Sequence, residues 1–239
     1  MKKSLFALFF CGLAITSFSQ SVEMAPGDSI PWELRKQSFI YSTATQFNDP
    51  MVARMALYNL LSENPANVPL YDSLAISYFE YNQYVSAALA AQQALRINPN
   101  DLFAAEVAAS SFEKVGAKDK ALTNYEKVYL DKQDLTILYK MAFLQYELER
   151  FTEATTSLDI IIADAAAEES FIVFPTTDRL GQEVPLKVAA FRVKAMMEES
   201  KGNTEVAKTQ YLEVLEMFPG FQVVQQQLRE LTKPAAEGN

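Results

Sequence analysis

The sequence has no histidine, one cysteine and seven glycines among its 239 residues. Without histidine the chain lacks the commonest general acid–base group and the commonest transition-metal ligand of proteins. Serine–histidine catalysis is excluded for the same reason. The small number of glycines disfavours an architecture of strands and tight turns. Apolar residues make up 49% of the chain and charged residues 21%, which is typical of a folded rather than a disordered protein.

The first nineteen residues have the pattern of a secretory signal peptide. Lys2 and Lys3 precede an apolar run that begins at Leu5, and small residues follow the run. We predict cleavage after Ser19, which removes the only cysteine, Cys11, and with it any disulfide. The run is shorter than the roughly 20 residues of a spanning helix, and an uncleaved membrane anchor is the alternative. We therefore expect an exported protein, located in the periplasm or, alternatively, secreted.

Acidic residues dominate the mature chain, in which 19 basic residues face 30 acidic ones for a net charge of −11. Such a chain repels phosphate backbones, so nucleic acid is a poor partner. No nucleophile elbow, phosphate-binding glycine loop or zinc-protease motif is present. Adjacent glutamates, such as Glu168 and Glu169, are typical of a solvated face. We predict a protein that is not an enzyme and needs no cofactor or metal.

A pattern recurs along the chain about every 34 residues. Aligned on one alanine per unit, the intervals are 34, 34, 33 and 53 residues, and the last is one period plus an insertion of 19. Residues four and seven after each alanine lie on one face of a helix, and in three units a proline twelve residues after it ends that helix. The alanines are Ala53, Ala87, Ala121, Ala154 and Ala207, and the prolines are Pro65, Pro99 and Pro219.

A second helical segment precedes each of these alanines, so each unit is predicted to be two short helices joined by a tight turn. In the second unit the small residues are Ala75 and Ala87, the aromatic residue is Tyr78 and the terminator is Pro99. This pattern resembles the tetratricopeptide repeat, and the resemblance covers residues 34 to about 221. It implies an all-α fold, a right-handed solenoid of about five helix pairs. Two small residues at the crossing would let the paired helices approach closely.

The chain departs from the repeat at several places. Gln145 and Glu198 replace the aromatic residue in the fourth and fifth units. The only tryptophan, Trp32, is predicted to pack against the first repeat rather than to bind a ligand. We divide the chain into a signal peptide (1–19), a flexible lead (20–33), repeat units one to four (34–167), an insertion (168–187), a fifth unit (188–221), a cap helix (222–232) and a tail (233–239).

The insertion interrupts the period before the last unit. Phe171–Phe174 is a short β-favouring run, and Val184, Leu186 and Val188 alternate with polar residues, which predicts a β-hairpin or a paired extended loop. Two interpretations of this hairpin remain. It is either a local excursion that packs on the solenoid, or a contact surface or dimer edge that would make the protein a homodimer.

Members of the family that the sequence resembles line a concave groove with the first helix of each unit. At the groove positions the resemblance implies an aromatic floor with an acidic fringe, formed by Phe79, Glu80, Phe103, Glu106, Glu113, Tyr139, Phe143, Tyr146 and Glu147. Some members hold acidic C-terminal peptides with a lysine in this groove. Asp72, Glu106 and Tyr139 stand where that lysine would be needed, so this binding mode is contradicted.

Three expectations follow for the function. The first is a periplasmic scaffold or adaptor whose groove binds a basic or amphipathic peptide segment of another protein. The second is a protein that binds cell wall or carbohydrate by stacking the groove aromatics on sugars. The third is that the cap helix, the insertion or a neighbouring chain covers these rings.

Overall fold

The structure is a computed structural model that describes residues 30–176 and 180–233. The signal peptide predicted over 1–19, most of the lead and most of the tail lie outside the described residues. The described helices and strands are α1 (Trp32–Gln46), α2 (Pro50–Glu63), α3 (Val68–Glu80), α4 (Tyr84–Ile97), α5 (Leu102–Lys114), α6 (Lys118–Lys132), α7 (Leu135–Glu147), α8 (Phe151–Ala163), a 3-10 turn (Ala165–Glu168), β1 (Phe171–Phe174), β2 (Gln182–Pro185), α9 (Leu186–Ser200), α10 (Thr204–Met217) and α11 (Gln222–Leu231).

Ten of the helices form five successive pairs, from α1 with α2 to α9 with α10, and α11 packs on α10. The second helix of each pair also contacts the first helix of the next, so the pairs stack into a solenoid. The predicted all-α solenoid of five units with a terminal helix is therefore confirmed. In α11 only Val224 is buried, and the preceding Phe221 is fully buried. The remaining, largely polar surface of this helix closes the end of the stack.

The turn inside each unit contains one residue in the left-handed conformation. Its φ is 54° at Asn48, 58° at Asn82, 76° at Gly116, 59° at Glu149 and 81° at Gly202. These five residues are equivalent in the repeat. Asparagine and glycine adopt this conformation readily, whereas other residues do so at a cost. Glu149 is therefore the one strained turn residue among the five.

Small residues allow the two helices of a unit to approach one another closely. Ala75 on α3 and Ala87 on α4 are both fully buried. The alanines equivalent to Ala87 in the other units are also buried, as are the residues four and seven positions after each of these five alanines. Packing at these positions repeats along the chain and leaves none of them free to contact a partner.

The proline terminators lie just beyond helix ends. The helices α2, α4 and α10 end two residues before Pro65, Pro99 and Pro219, respectively. The side chains of Asp49, Asn67, Asp101 and Asp134 accept hydrogen bonds from backbone amides in the first turns of α2, α3, α5 and α7. Such caps satisfy amides that have no partner within the helix.

The insertion forms the predicted hairpin, in which β1 pairs antiparallel with β2 and Phe171 faces Pro185. Val184 is fully buried. Leu186 and Val188, however, lie in α9 rather than in the strand, because the helix begins at Leu186, directly after β2, and buries both side chains. The Gln182 amide donates to the Gly220 carbonyl at 2.7 Å and so ties the hairpin to the start of α11.

Trp32 does not pack as predicted, because 70% of its surface is exposed. It opens α1, which has no preceding unit to cover it among the described residues. Phe39, one repeat before Ser73, is also 70% exposed on this helix. The repeat pattern identifies the face of a helix, but the end of a stack leaves part of that face without a neighbour.

Candidate functional site: the concave groove

The groove lies on the side of the stack formed by the first helices of the units. These helices contact one another directly, α3 with α5 and α7 with α9, whereas each second helix contacts the first helix of the following unit. The first helices are therefore the closely spaced, inner layer. The structure places the predicted groove residues on this layer and divides them into an open N-terminal half and a closed C-terminal half.

The open half contains a cavity of about 250 Å³ between α3 and α5, which we call the α3–α5 pocket. Phe103 exposes 48% of its surface there. Phe79 is half-buried, and its ring contacts Tyr84 edge-on with the ring centres 5.4 Å apart. Phe79 thus forms an apolar wall that Tyr84 holds in place, and Phe103 forms a more exposed apolar wall. The lining residues are Ile76, Phe79, Phe103, Glu106, Val107 and Ser110.

Asp72 lies on α3 one turn before Ile76, on the same face of the helix. Its Oδ1 atom is buried and has no hydrogen-bond partner within the described part of the chain. Burial, with a smaller contribution from the Asp101 carboxylate, raises the pKa of Asp72 from 3.8 to about 6. A half-buried carboxylate with an unsatisfied oxygen is costly. The sequence places Asp72 in the groove, but it does not reveal this lack of a partner.

The acidic residues of the groove have different surroundings. Glu106 accepts a 2.7 Å hydrogen bond from the Lys132 ammonium group, and both side chains are partly exposed. Glu80 lines a separate cavity of about 220 Å³ between the first and second units. Glu147 pairs with Lys118 at 3.4 Å. Of these carboxylates, Glu106 is the one that borders the α3–α5 pocket.

Glu113 has a structural partner. It accepts a 2.7 Å hydrogen bond from the hydroxyl of Tyr125, which is fully buried between α5 and α6. Burial raises the pKa of Tyr125 well above its usual value, so the hydroxyl stays protonated and can donate. Glu199 accepts an equivalent bond from Tyr211 at 2.6 Å in the fifth unit. The repetition of this pair indicates that Glu113 fixes the helix pair rather than receiving a ligand.

The C-terminal half of the groove is closed by the chain itself. Tyr139 is only 4% exposed and lies beside the Arg192 guanidinium. Arg192 donates from Nε to Gln227 of α11 at 2.8 Å and lies 5.3 Å from the centre of the Phe174 ring of β1. The hairpin and the terminal helix therefore meet over this part of the groove. The prediction that Tyr139 contributes to an open aromatic floor is wrong.

Phe143 and Tyr146 follow Tyr139 on α7 and are partly exposed. Their ring centres are 5.9 Å apart, and the Tyr146 hydroxyl lies 3.1 Å from the Ser200 hydroxyl. Tyr146 also contacts the ring of Phe151, with centres 6.4 Å apart. These contacts join α7 to α8 and α9, so both rings have packing roles as well as surface in the groove.

The hairpin shows one buried and one exposed face. Phe174 packs edge-on against Phe221 with ring centres 4.9 Å apart, while Phe171 and Val173 expose 53% and 63% of their surfaces. The contacts with α9 and α11 favour the interpretation of a local excursion that packs on the solenoid.

The described residues contain no group of three or more cysteine or acidic side chains arranged to hold a metal ion. Within the same ranges, none of the helices has the length and apolar character needed to cross a bilayer.

Solved structures with the same arrangement of helices are similar to this chain. A tetratricopeptide repeat protein from Parabacteroides merdae superposes with a TM-score of 0.63 at 18% identity, over 84% of this chain and 73% of that one. MamA from Desulfovibrio magneticus superposes with a TM-score of 0.58 at 13% identity, over 81% of this chain and 99% of that one. Comparison with protein-family models and with curated proteins gave no match. Likeness at these identities concerns the fold and not the function. The chain has the tetratricopeptide repeat fold.

Proposed function

We propose that the protein is a non-enzymatic interaction scaffold that holds a peptide segment of a partner protein in the open half of its concave groove. The observation that carries this proposal is the α3–α5 pocket, an apolar cavity with an acidic border on the inner side of the solenoid. Its volume of about 250 Å³ is below the roughly 300–1,000 Å³ of most small-molecule sites. A cavity of this size suits one or two side chains of a bound segment.

The charge of the chain favours a partner segment that is basic or amphipathic. The formal net charge is −9 for the full sequence. Asp72, Glu80 and Glu106 all lie on the inner helices of the second and third units. Complementary charge steers association and selects against acidic partners. The apolar walls would then bind the uncharged part of the segment.

We place this function in the periplasm on the basis of the N-terminal sequence, namely two lysines, an apolar run and small residues. Fractionation of cells that express the full chain tests the location. We expect a shortened mature form in the periplasmic fraction. Recovery of the full-length chain in the cytosol would contradict export, and recovery of the full-length chain in membranes would indicate an uncleaved anchor.

Crosslinking from inside the groove tests the interaction. A photoreactive phenylalanine analogue replaces Phe103 in one variant and Leu212 in a matched control, since these side chains expose 48% and 45% of their surfaces. Leu212 lies on α10, a second helix. We expect the variant at position 103 to crosslink to defined protein segments that the variant at position 212 does not capture. Identical products from both positions, or none from 103, would refute binding in the groove.

The carbohydrate-binding alternative receives less support from the rings. Tyr139 is buried, Phe79 is engaged by Tyr84, and Phe103 keeps a large exposed surface in the pocket. Binding to isolated cell wall that persists in high salt would favour the alternative, whereas contacts between a basic segment and carboxylates weaken as salt screens them.

A further inference from the structure

The α3–α5 pocket has an apolar lining, and a carboxylate without a partner among the described residues, Asp72, lies one helical turn away from it on α3. Phe79 and Phe103 provide the apolar surface, and Asp72 follows the same face of α3 one turn earlier. An uncharged side chain would fill the cavity but would leave the negative charge of the neighbouring Asp72 carboxylate without a counter-charge. A side chain with an apolar stem and a cationic end would fill the cavity and bring its charge to the Asp72 carboxylate at the edge of the cavity, because lysine and arginine bury their stems and keep their charges at the end of the stem.

The nearby acidic groups leave Asp72 as the carboxylate available for such a charge. The Asp101 side chain accepts from the Ala104 amide at 3.0 Å and so caps α5. Glu106 already accepts from Lys132. Within residues 30–176 and 180–233, no lysine or arginine pairs with Asp72. The local charge is therefore negative and uncompensated at this residue.

We infer that the α3–α5 pocket is a specificity site for a lysine or arginine side chain of the partner segment. The stem lies against Phe79 and Phe103, and the cationic group binds the Asp72 carboxylate. This inference rests on the proposed binding of a peptide in the groove and goes beyond it by naming the side chain and its receptor. A cation that approaches the phenylalanine rings also gains attraction from their faces.

Selection from a random library of N-acetylated octapeptides tests the site. Acetylation removes the positive charge of the peptide N-terminus, so that a preference for positive charge has to come from lysine or arginine side chains. We expect the wild-type protein to enrich lysine or arginine severalfold at one position of the bound peptides. The Asp72→Asn variant should lose this basic preference and retain the apolar preferences at neighbouring positions. Asp119→Asn, which removes an exposed charge from α6, is the matched control and should behave as the wild type.

The selected peptide then allows a pairwise test. We expect replacement of its lysine or arginine by norleucine to weaken binding to the wild type about tenfold, as for other charge pairs that are partly desolvated. Against Asp72→Asn, most of this difference should disappear, since the charge has lost its receptor and keeps only the weaker attraction of the rings. A thermal melt confirms that the variant is folded.

The outcomes separate this inference from the proposed function. Enriched peptides without a basic residue, or a basic preference that survives Asp72→Asn, would overturn the site while leaving a peptide-binding groove. Failure of the protein to enrich any peptide, together with the absence of groove crosslinks, would overturn both.

Discussion

Replacement of Asp72 by asparagine should stabilise the protein at neutral and alkaline pH and leave it unchanged at acid pH. The substitution keeps the size of the side chain and removes only its ability to ionise. In the folded protein the pKa of Asp72 is raised from 3.8 to about 6. A group with a raised folded pKa contributes stability that is fully present below the unfolded pKa and is lost as pH rises through the folded pKa. The window of change is therefore about pH 4 to 6.

The magnitude follows from the size of the shift. A change from 3.8 to about 6 corresponds to about 3 kcal/mol of free energy of unfolding if solvent does not screen the charge. Asp72 is only partly buried, and water near the groove reduces the penalty. We therefore expect Asp72→Asn to gain about 1–1.5 kcal/mol above pH 7 and nothing below pH 4.

Denaturant unfolding followed by circular dichroism at several pH values measures this effect. Fluorescence is a poor probe because Trp32 is 70% exposed. Glu213→Gln, at an exposed position beyond the first turn of α10, serves as the control for a general loss of negative charge. A stability difference that does not depend on pH, or a loss of stability in Asp72→Asn at pH 8, would refute the assignment of Asp72 as a destabilising carboxylate.

Three further substitutions test the packing. Glu149→Gly should raise the free energy of unfolding by about 0.5–1 kcal/mol, since glycine relieves the left-handed strain at φ 59°; a lower denaturation midpoint would contradict this. Ala87→Leu should overpack a fully buried crossing and cost about 1–3 kcal/mol in thermal or denaturant unfolding, and a midpoint equal to that of the wild type would disprove the assignment. The buried Ser157 hydroxyl donates a hydrogen bond to the Gln145 side-chain oxygen at 2.9 Å. Gln145→Leu should therefore lower the free energy of unfolding by about 1–3 kcal/mol, because it leaves this hydroxyl without a partner, and adding Ser157→Ala should restore most of the lost stability. An additive double variant would show that this hydrogen bond is not the cause.

Much of the fold could be predicted from the sequence because the two helices of every unit pack together in the same way. The alanine on which each unit is aligned lies where the two helices of that unit cross, so the positions of Ala53 and Ala87 in the period also indicate their burial. The hairpin could be predicted because Phe171–Phe174 favours a strand and interrupts the period. These features are local, and each can be recognised within one or two units of sequence.

The state of the groove could not be predicted in the same way, because it depends on residues far apart in the chain. The repeat register places Tyr139 on the inner face, but its burial results from Arg192, Gln227 and Phe174, which come from α9, α11 and β1. The unsatisfied oxygen of Asp72 is likewise a property of the packed neighbours and not of the residue type. The repeat period indicates on which face of its helix a side chain lies, but it does not indicate which residues cover that face.

One groove position in successive units shows how packing and recognition are separated in this chain. The residues at this position are Ser38, Asp72, Glu106, Tyr139 and Arg192, whereas the alanine on which each unit is aligned is the same residue type in all five units. The last two of these residues are buried against each other and against the hairpin and α11, so they stabilise the C-terminal end of the stack. Asp72 and Glu106 remain in the open half. Lys132 already pairs with Glu106, whereas Asp72 has no ion-pair partner among the described residues and burial raises its pKa. A half-buried carboxylate without a cationic partner, at a position where the other units hold neutral or paired side chains, suits a binding site for a cation, because binding would relieve a cost that folding leaves in place.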